Sequence, residues 1–118
     1  KLINDGNSYT WAPGGGLPFS EKVTIDIPNV PGFNLKYRII GPQGGFIKHI
    51  EERAGIRVFL RGRGSGFIEG ALGREMEETM FLYLASRDRE SLELARVLAR
   101  NLIDTVAQDY VDWGGGSR

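Results

Sequence analysis

The chain has 118 residues, 41% of them hydrophobic and 25% charged, a globular composition whose length suits one domain with a modest core rather than two. Cysteine is absent and histidine occurs once, which excludes a disulfide framework, a thiolate nucleophile, a cysteine-based zinc site and a histidine-rich metal centre. The formal net charge is zero, against the positive excess common in nucleic-acid-binding domains. No apolar run approaches the roughly 18 residues of a membrane span, and the opening "KLINDGNSYTW" lacks the apolar core of a signal peptide; a soluble, intracellular protein is expected.

Residues 1 to 20, with "APGGGLP" and several Asn, Ser and Gly, show neither helical nor strand periodicity and read as a flexible arm. "EKVTIDI" then alternates Val23, Ile25 and Ile27 with Thr24 and Asp26, the period-two signal of a half-buried strand, which Pro28 and Pro31 end. From Asn34 the pattern turns helical, with Leu35 and Ile39 four apart, until Gly41. Beyond the glycines, Phe46, Ile47, Ile50 and Ala54 share one stripe of a second helix, and Gly55 is placed to cap it. "RVFLR" follows as a strand, with Val58 and Leu60 on one face and Phe59 on the other. Residues 62 to 78 are rich in glycine and charge and read as a long connecting loop. "TMFLYLA" makes a third strand, its Phe81 and Tyr83 divided between core and sheet face. Ser86 or Asp88 N-caps a long final helix with apolar residues at Leu92, Ala95, Leu98, Leu102, Val106 and Tyr110, and residues 113 to 118 read as a flexible tail.

Charge is unevenly spread along this order. Residues 33 to 63 hold seven Lys or Arg against two Glu, a local charge of +5, while residues 64 to 118 carry −4 and residues 1 to 32 carry −1. Inside the basic stretch, "IIGPQGGFIKHI" interrupts what otherwise reads as one helix. Glycine and proline there are unfavourable by about 1 and about 3 kcal/mol relative to alanine. Gly41-Pro42-Gln43-Gly44 sets backbone N–H groups at a helix N-terminus beside chain without bulky side chains, which suits phosphate oxygens; it equally suits a plain connector between two helices. A nucleotide P-loop does not fit, because no Lys-Ser or Lys-Thr follows the glycines. His49 has no carboxylate or cysteine at ligand spacing and reads as a surface residue. Glu75, Glu77 and Glu78 lack a third group to orient them as catalytic carboxylates. No catalytic residue, metal or cofactor is expected.

The element order and the Ile39-Ile40-Gly41-Pro42-Gln43-Gly44-Gly45-Phe46-Ile47 core resemble a eukaryotic-type, type I KH domain, the RNA-binding module with an IIGxxGxxI core. "NLKYRIIGPQG", "IRVFLRGRGS" and "GRE" are similar to the branch containing the STAR proteins and branch-point-binding splicing factor one. "FLRGRGSGFIEGALGRE" is similar to the RIK-like KH splicing-associated proteins. The resemblance runs from about Lys22 to Tyr110. It implies an α+β, β-α-α-β-β-α fold over residues 21 to 112, with a three-stranded antiparallel sheet packed against three helices, and no enzymatic activity.

It also implies a groove for about four unpaired nucleotides, clamped by Gly41, Pro42, Gln43 and Gly44 on one side and by the long loop on the other. Carried over by position, Asn34 opens the first helix and helps hold RNA; Ile40, Ile47 and Val58 line the floor. Leu60 offers its backbone to a base edge, Lys48 belongs to the same site, and Arg61 and Arg63 reach phosphates or base edges. STAR-type loops usually carry Arg or Lys where this chain has Gln43, so one phosphate-facing charge is missing, which weakens binding and flattens its salt dependence. The implied partners are single-stranded pre-mRNA and splicing proteins, for a monomer in the nucleus. The competing expectation is a KH fold used for protein contacts through its acidic third helix, with weak or no RNA binding.

Overall fold

The computed structural model describes residues 17 to 115 and the backbone of two N-terminal strands. Those strands, β1 (Leu2–Asp5) and β2 (Ser8–Trp11), pair antiparallel inside the segment expected to be an irregular arm. The remainder of that arm and residues 116 to 118 of the expected tail lie outside the described residues.

The alternation in "EKVTIDI" becomes β3 (Phe19–Thr24), and the ladder continues in one more bond, from the Ile25 N–H to the Met80 carbonyl (2.9 Å). Val23, Ile25 and Ile27 are buried, as a one-sided strand requires. After Pro28 and Pro31 the chain runs into α1 (Leu35–Ile40), a 3-10 turn (Pro42–Gly44), and α2 (Gly45–Ala54), which ends on Gly55 at φ 70°. β4 (Arg57–Arg61), the long loop, β5 (Phe81–Ser86) and α3 (Arg89–Asp112) complete the order. The sheet order is β3-β5-β4, both pairings antiparallel, with the three helices on one face. This is the α+β, β-α-α-β-β-α arrangement expected, with β4 at an edge.

Several local expectations change. Asp88 caps α3, its carboxylate accepting the Ser91 N–H at 2.7 Å. The fully buried stripe of that helix is Ala95, Ala99, Ile103 and Val106, while Leu92, Leu98, Leu102 and Tyr110 pack along its flank; two small alanines let the helix backbone come close to the sheet. Phe46, placed on the core stripe of α2, is 46% exposed. Phe81 and Tyr83 are two apart on β5 and so share the outer sheet face, Phe81 being covered by the Lys22 and Arg61 cations. Trp113, expected in the tail, packs on the buried ring of Phe33 at 5.3 Å between centroids. Tyr110 meets Phe33 edge-on at 5.1 Å, and Arg38 stacks over that ring while its Nε donates to the Phe33 carbonyl (2.6 Å). These contacts tie the end of α3 to the start of α1.

Candidate nucleic-acid interface

The glycine loop departs from helical geometry at three of its four residues. Gly41 sits at φ 80°, ψ 172°, Gln43 at φ 56° and Gly44 at φ 73°. Gly41 is buried, and a Cβ there would come within 2.5 Å of the Phe46 ring, so both its conformation and its surroundings demand glycine. The Gly41 N–H donates to the Tyr37 carbonyl (2.8 Å) and Gly44 N–H to the Gly41 carbonyl (3.0 Å), while the Gly45 N–H is taken by Pro42. No side chain caps α2. The next N–H groups at this helix start belong to Phe46 and Ile47, the position at which a helix N-terminus receives an anion.

Charge reaches this loop from the following turn. Lys48 folds back so that its Cε would lie 4.0 Å from a Cβ at Gly44. A cation thus stands beside the loop although Gln43 itself carries none.

Across from the loop lies the edge of β4. The Val58 N–H donates to Glu51 Oε2 (3.0 Å), so it points away from β5. Antiparallel pairing alternates with period two, and the N–H and C=O of Leu60 therefore face the same open edge, where no other strand pairs among the described residues. The Glu51 carboxylate, which also lies 3.7 Å from Arg57 Nε, pins this edge to α2. Ile40, Ile47 and Leu60, expected with Val58 to form an aliphatic floor, are half-buried, and Ile47 and Leu60 pack against the hydrophobic core.

Other residues named from the sequence are placed differently. Val58 is 5% exposed and belongs to the core beneath the floor. Asn34, at the start of α1, is exposed in the left-handed region (φ 61°, ψ 51°) and makes no capping hydrogen bond with its side chain. Arg63 is exposed, its backbone N–H held by the Glu78 carbonyl (2.9 Å). Arg61 departs most from expectation. Strand alternation sends it to the outer sheet face, where it binds Glu69 through two bonds of 2.9 and 2.6 Å and stacks against Phe67 and Tyr83. Those bonds raise the Arg61 pKa and hold the Glu69 carboxyl below its ordinary range, despite the opposing cost of burial. Arg61 is committed to the fold and stands apart from the groove. Sequence reading missed Lys36, one turn before Ile40 and so on the same side of α1, and Tyr37, 56% exposed one turn before Gly41; the i, i+4 spacing was the available signal.

A family model described as KHDC4/BBP-like, KH-domain type I, matches residues 29–104. This chain belongs to that family of KH domains. Similar proteins include an uncharacterized protein of Schizosaccharomyces pombe, 41% identical over 93 residues, and Protein RIK of Zea mays, 38% identical over 93 residues. Each of these matches covers 79% of this chain, and 17% and 15% respectively of the relative. The Branchpoint-bridging protein of Aspergillus fumigatus is 29% identical over 92 residues, 74% of this chain and 16% of that protein. The chain thus spans about a sixth of these relatives. KH domains of this type are RNA-binding modules rather than enzymes. No described helix is long and apolar enough to cross a membrane.

Proposed function

We propose that this KH domain binds about four unpaired nucleotides of RNA in the groove between the glycine loop and the β4 edge, and that it serves pre-mRNA splicing in the nucleus. The observation that carries this reading is the open Leu60 edge, which faces the uncapped start of α2 across an aliphatic floor. Backbone phosphates meet the N–H groups of Phe46 and Ile47 at the start of α2 and the Lys48 ammonium. Bases lie on Ile40, Ile47 and Leu60, and one of them pairs its polar edge with the Leu60 N–H and C=O. Asn34 and Arg63 stand at the far end of the groove. The protein acts as a monomer, with splicing proteins as further partners. The names of its relatives support the splicing assignment.

An amide-resolved NMR titration with short adenine- and uridine-containing RNAs tests this. Shifts at Gly41 to Ile47 and at Val58 to Leu60 that weaken as salt rises support it. The competing use of the fold, protein contacts, draws on the apolar cleft of about 380 Å³ that Phe46, Ile50, Leu98 and Leu102 line between α2 and α3. Silence in the groove at saturating RNA would favour that cleft.

A further inference from the structure

The loop after β4 contains a second place built to accept an anion. Gly64 and Gly66 both take positive φ, 84° and 79°, with Ser65 buried between them. The Ser65 hydroxyl donates to the Gly62 carbonyl (2.6 Å) and accepts the Phe67 N–H (3.1 Å). That pair of bonds fixes the loop so that the Gly64 and Gly66 N–H groups converge on one spot. The Glu75 carboxylate occupies it, Oε1 on Gly64 N–H at 3.0 Å and Oε2 on Gly66 N–H at 2.5 Å. Lys36 stands alongside: a Cβ added to Gly66 would lie 2.5 Å from its Nζ.

Two converging backbone donors and an ammonium are what a phosphate group requires, and a two-oxygen carboxylate satisfies the same donors. The position is also informative. Lys36 and Ile40 lie on one side of α1, so this spot is at the opposite end of α1 from the glycine loop. Five residues at 1.5 Å rise separate Lys36 from Gly41, roughly 7 to 8 Å.

Resting on the RNA reading above, we infer that Gly64, Gly66 and Lys36 form a second phosphodiester site at the far end of the groove. Glu75 fills it in the absence of RNA as an internal substitute that the strand must displace. The held carboxylate lowers apparent affinity, because only the fraction of molecules with an open site can take the strand there. Removing its charge releases that restraint.

The test uses the full chain, its Glu75→Gln variant and Glu77→Gln as a control of equal charge change. The Glu77 side chain is 78% exposed and pairs with Arg74 outside the spot. Each is titrated with an unstructured adenine- and uridine-containing RNA at fixed salt, followed by anisotropy and amide NMR. In the wild type, RNA is expected to move the Gly64 and Gly66 amides. Glu75→Gln should bind roughly three- to tenfold tighter than the wild type, the gain expected when a site occupied most of the time is opened, with Glu77→Gln changing much less. Equal effects of the two variants, or weaker binding by Glu75→Gln, would make Glu75 a loop tether and overturn the inference. So would Gly64 and Gly66 amides that stay still while Gly41 to Gly44 shift, a readout that needs no variant. Silence at both ends would instead sink the RNA reading, and this inference with it.

Discussion

Replacing Pro42 and Gln43 together by Asp separates binding from folding at the glycine loop. Both side chains are exposed, so two carboxylates there stay hydrated. Gln43 already sits at φ 56°, a region in which Asp is enriched, so that exchange adds no backbone strain. Losing Pro42 frees the unfolded chain, which costs about 0.4 to 1 kcal/mol and shifts the melting temperature by about 4 °C. Binding changes far more. A carboxylate 4 to 5 Å from a phosphate repels it by about 1 kcal/mol in bulk water and by several at the effective dielectric of a protein surface. Two of them remove at least about 2 kcal/mol, a loss of roughly thirtyfold or more in affinity. Anisotropy with a labelled RNA, alongside a thermal melt of the same sample, reads both numbers. A folded variant with undiminished affinity would refute the assignment of this loop as the phosphate clamp.

Gln43→Arg should tighten RNA binding and steepen the slope of log affinity against log salt by about 0.7, the increment for one more phosphate on a single strand; a salt titration measures it, and a flat response would show that residue 43 does not face phosphate. Ile103→Ala should destabilise the fold by about 2 to 5 kcal/mol, the range for emptying a fully buried position, and by clearly more than Leu102→Ala on the half-buried flank, with urea unfolding as the assay. Acid should loosen the long loop. The Glu75 carboxyl is held below its usual value by the Gly64 and then the Gly66 N–H, so the stability it contributes is present above the unfolded value near 4.5 and is lost as pH falls through the lower folded value. The Gly64 and Gly66 amide shifts should report a midpoint below 4.5.

Much of this molecule could be read from local pattern. The glycine loop announced itself because Gly41, Pro42 and Gly44 oppose helix formation within an otherwise helical stretch, and only a backbone purpose justifies them. Val23, Ile25 and Ile27 announced a one-sided strand by period two. Helical stripes were harder, because adjacent stripes of α3 are both apolar: Leu98 and Leu102 outweigh Ala99 and Ile103 in hydrophobicity, yet close approach to the sheet favours the face with alanines. Phe46 shows the same limit. Its ring covers Gly41, a role set by a turn five residues earlier rather than by the stripe it falls on.

What had no local signal was pairing across the long loop. Arg61 and Arg63 are equivalent in composition, two residues apart at the end of a basic strand, and the reading from sequence treated them alike. The fold separates them because β4 ends at Arg61, whose side chain faces outward to Glu69, eight residues on in a loop without period, while Gly62 at φ 96° turns the chain before Arg63. Glu75 was likewise set aside as one of three carboxylates with no third group to orient them for catalysis, when its partners are backbone N–H groups that no residue letter displays. The same blindness applies to Gln43. Taken alone it reads as a lost phosphate contact, but Lys48 supplies a cation to the loop from one turn later. The local charge of the glycine loop is therefore set by a side chain that folds back onto it, and the +5 segment stays basic even after Arg61 pairs with Glu69.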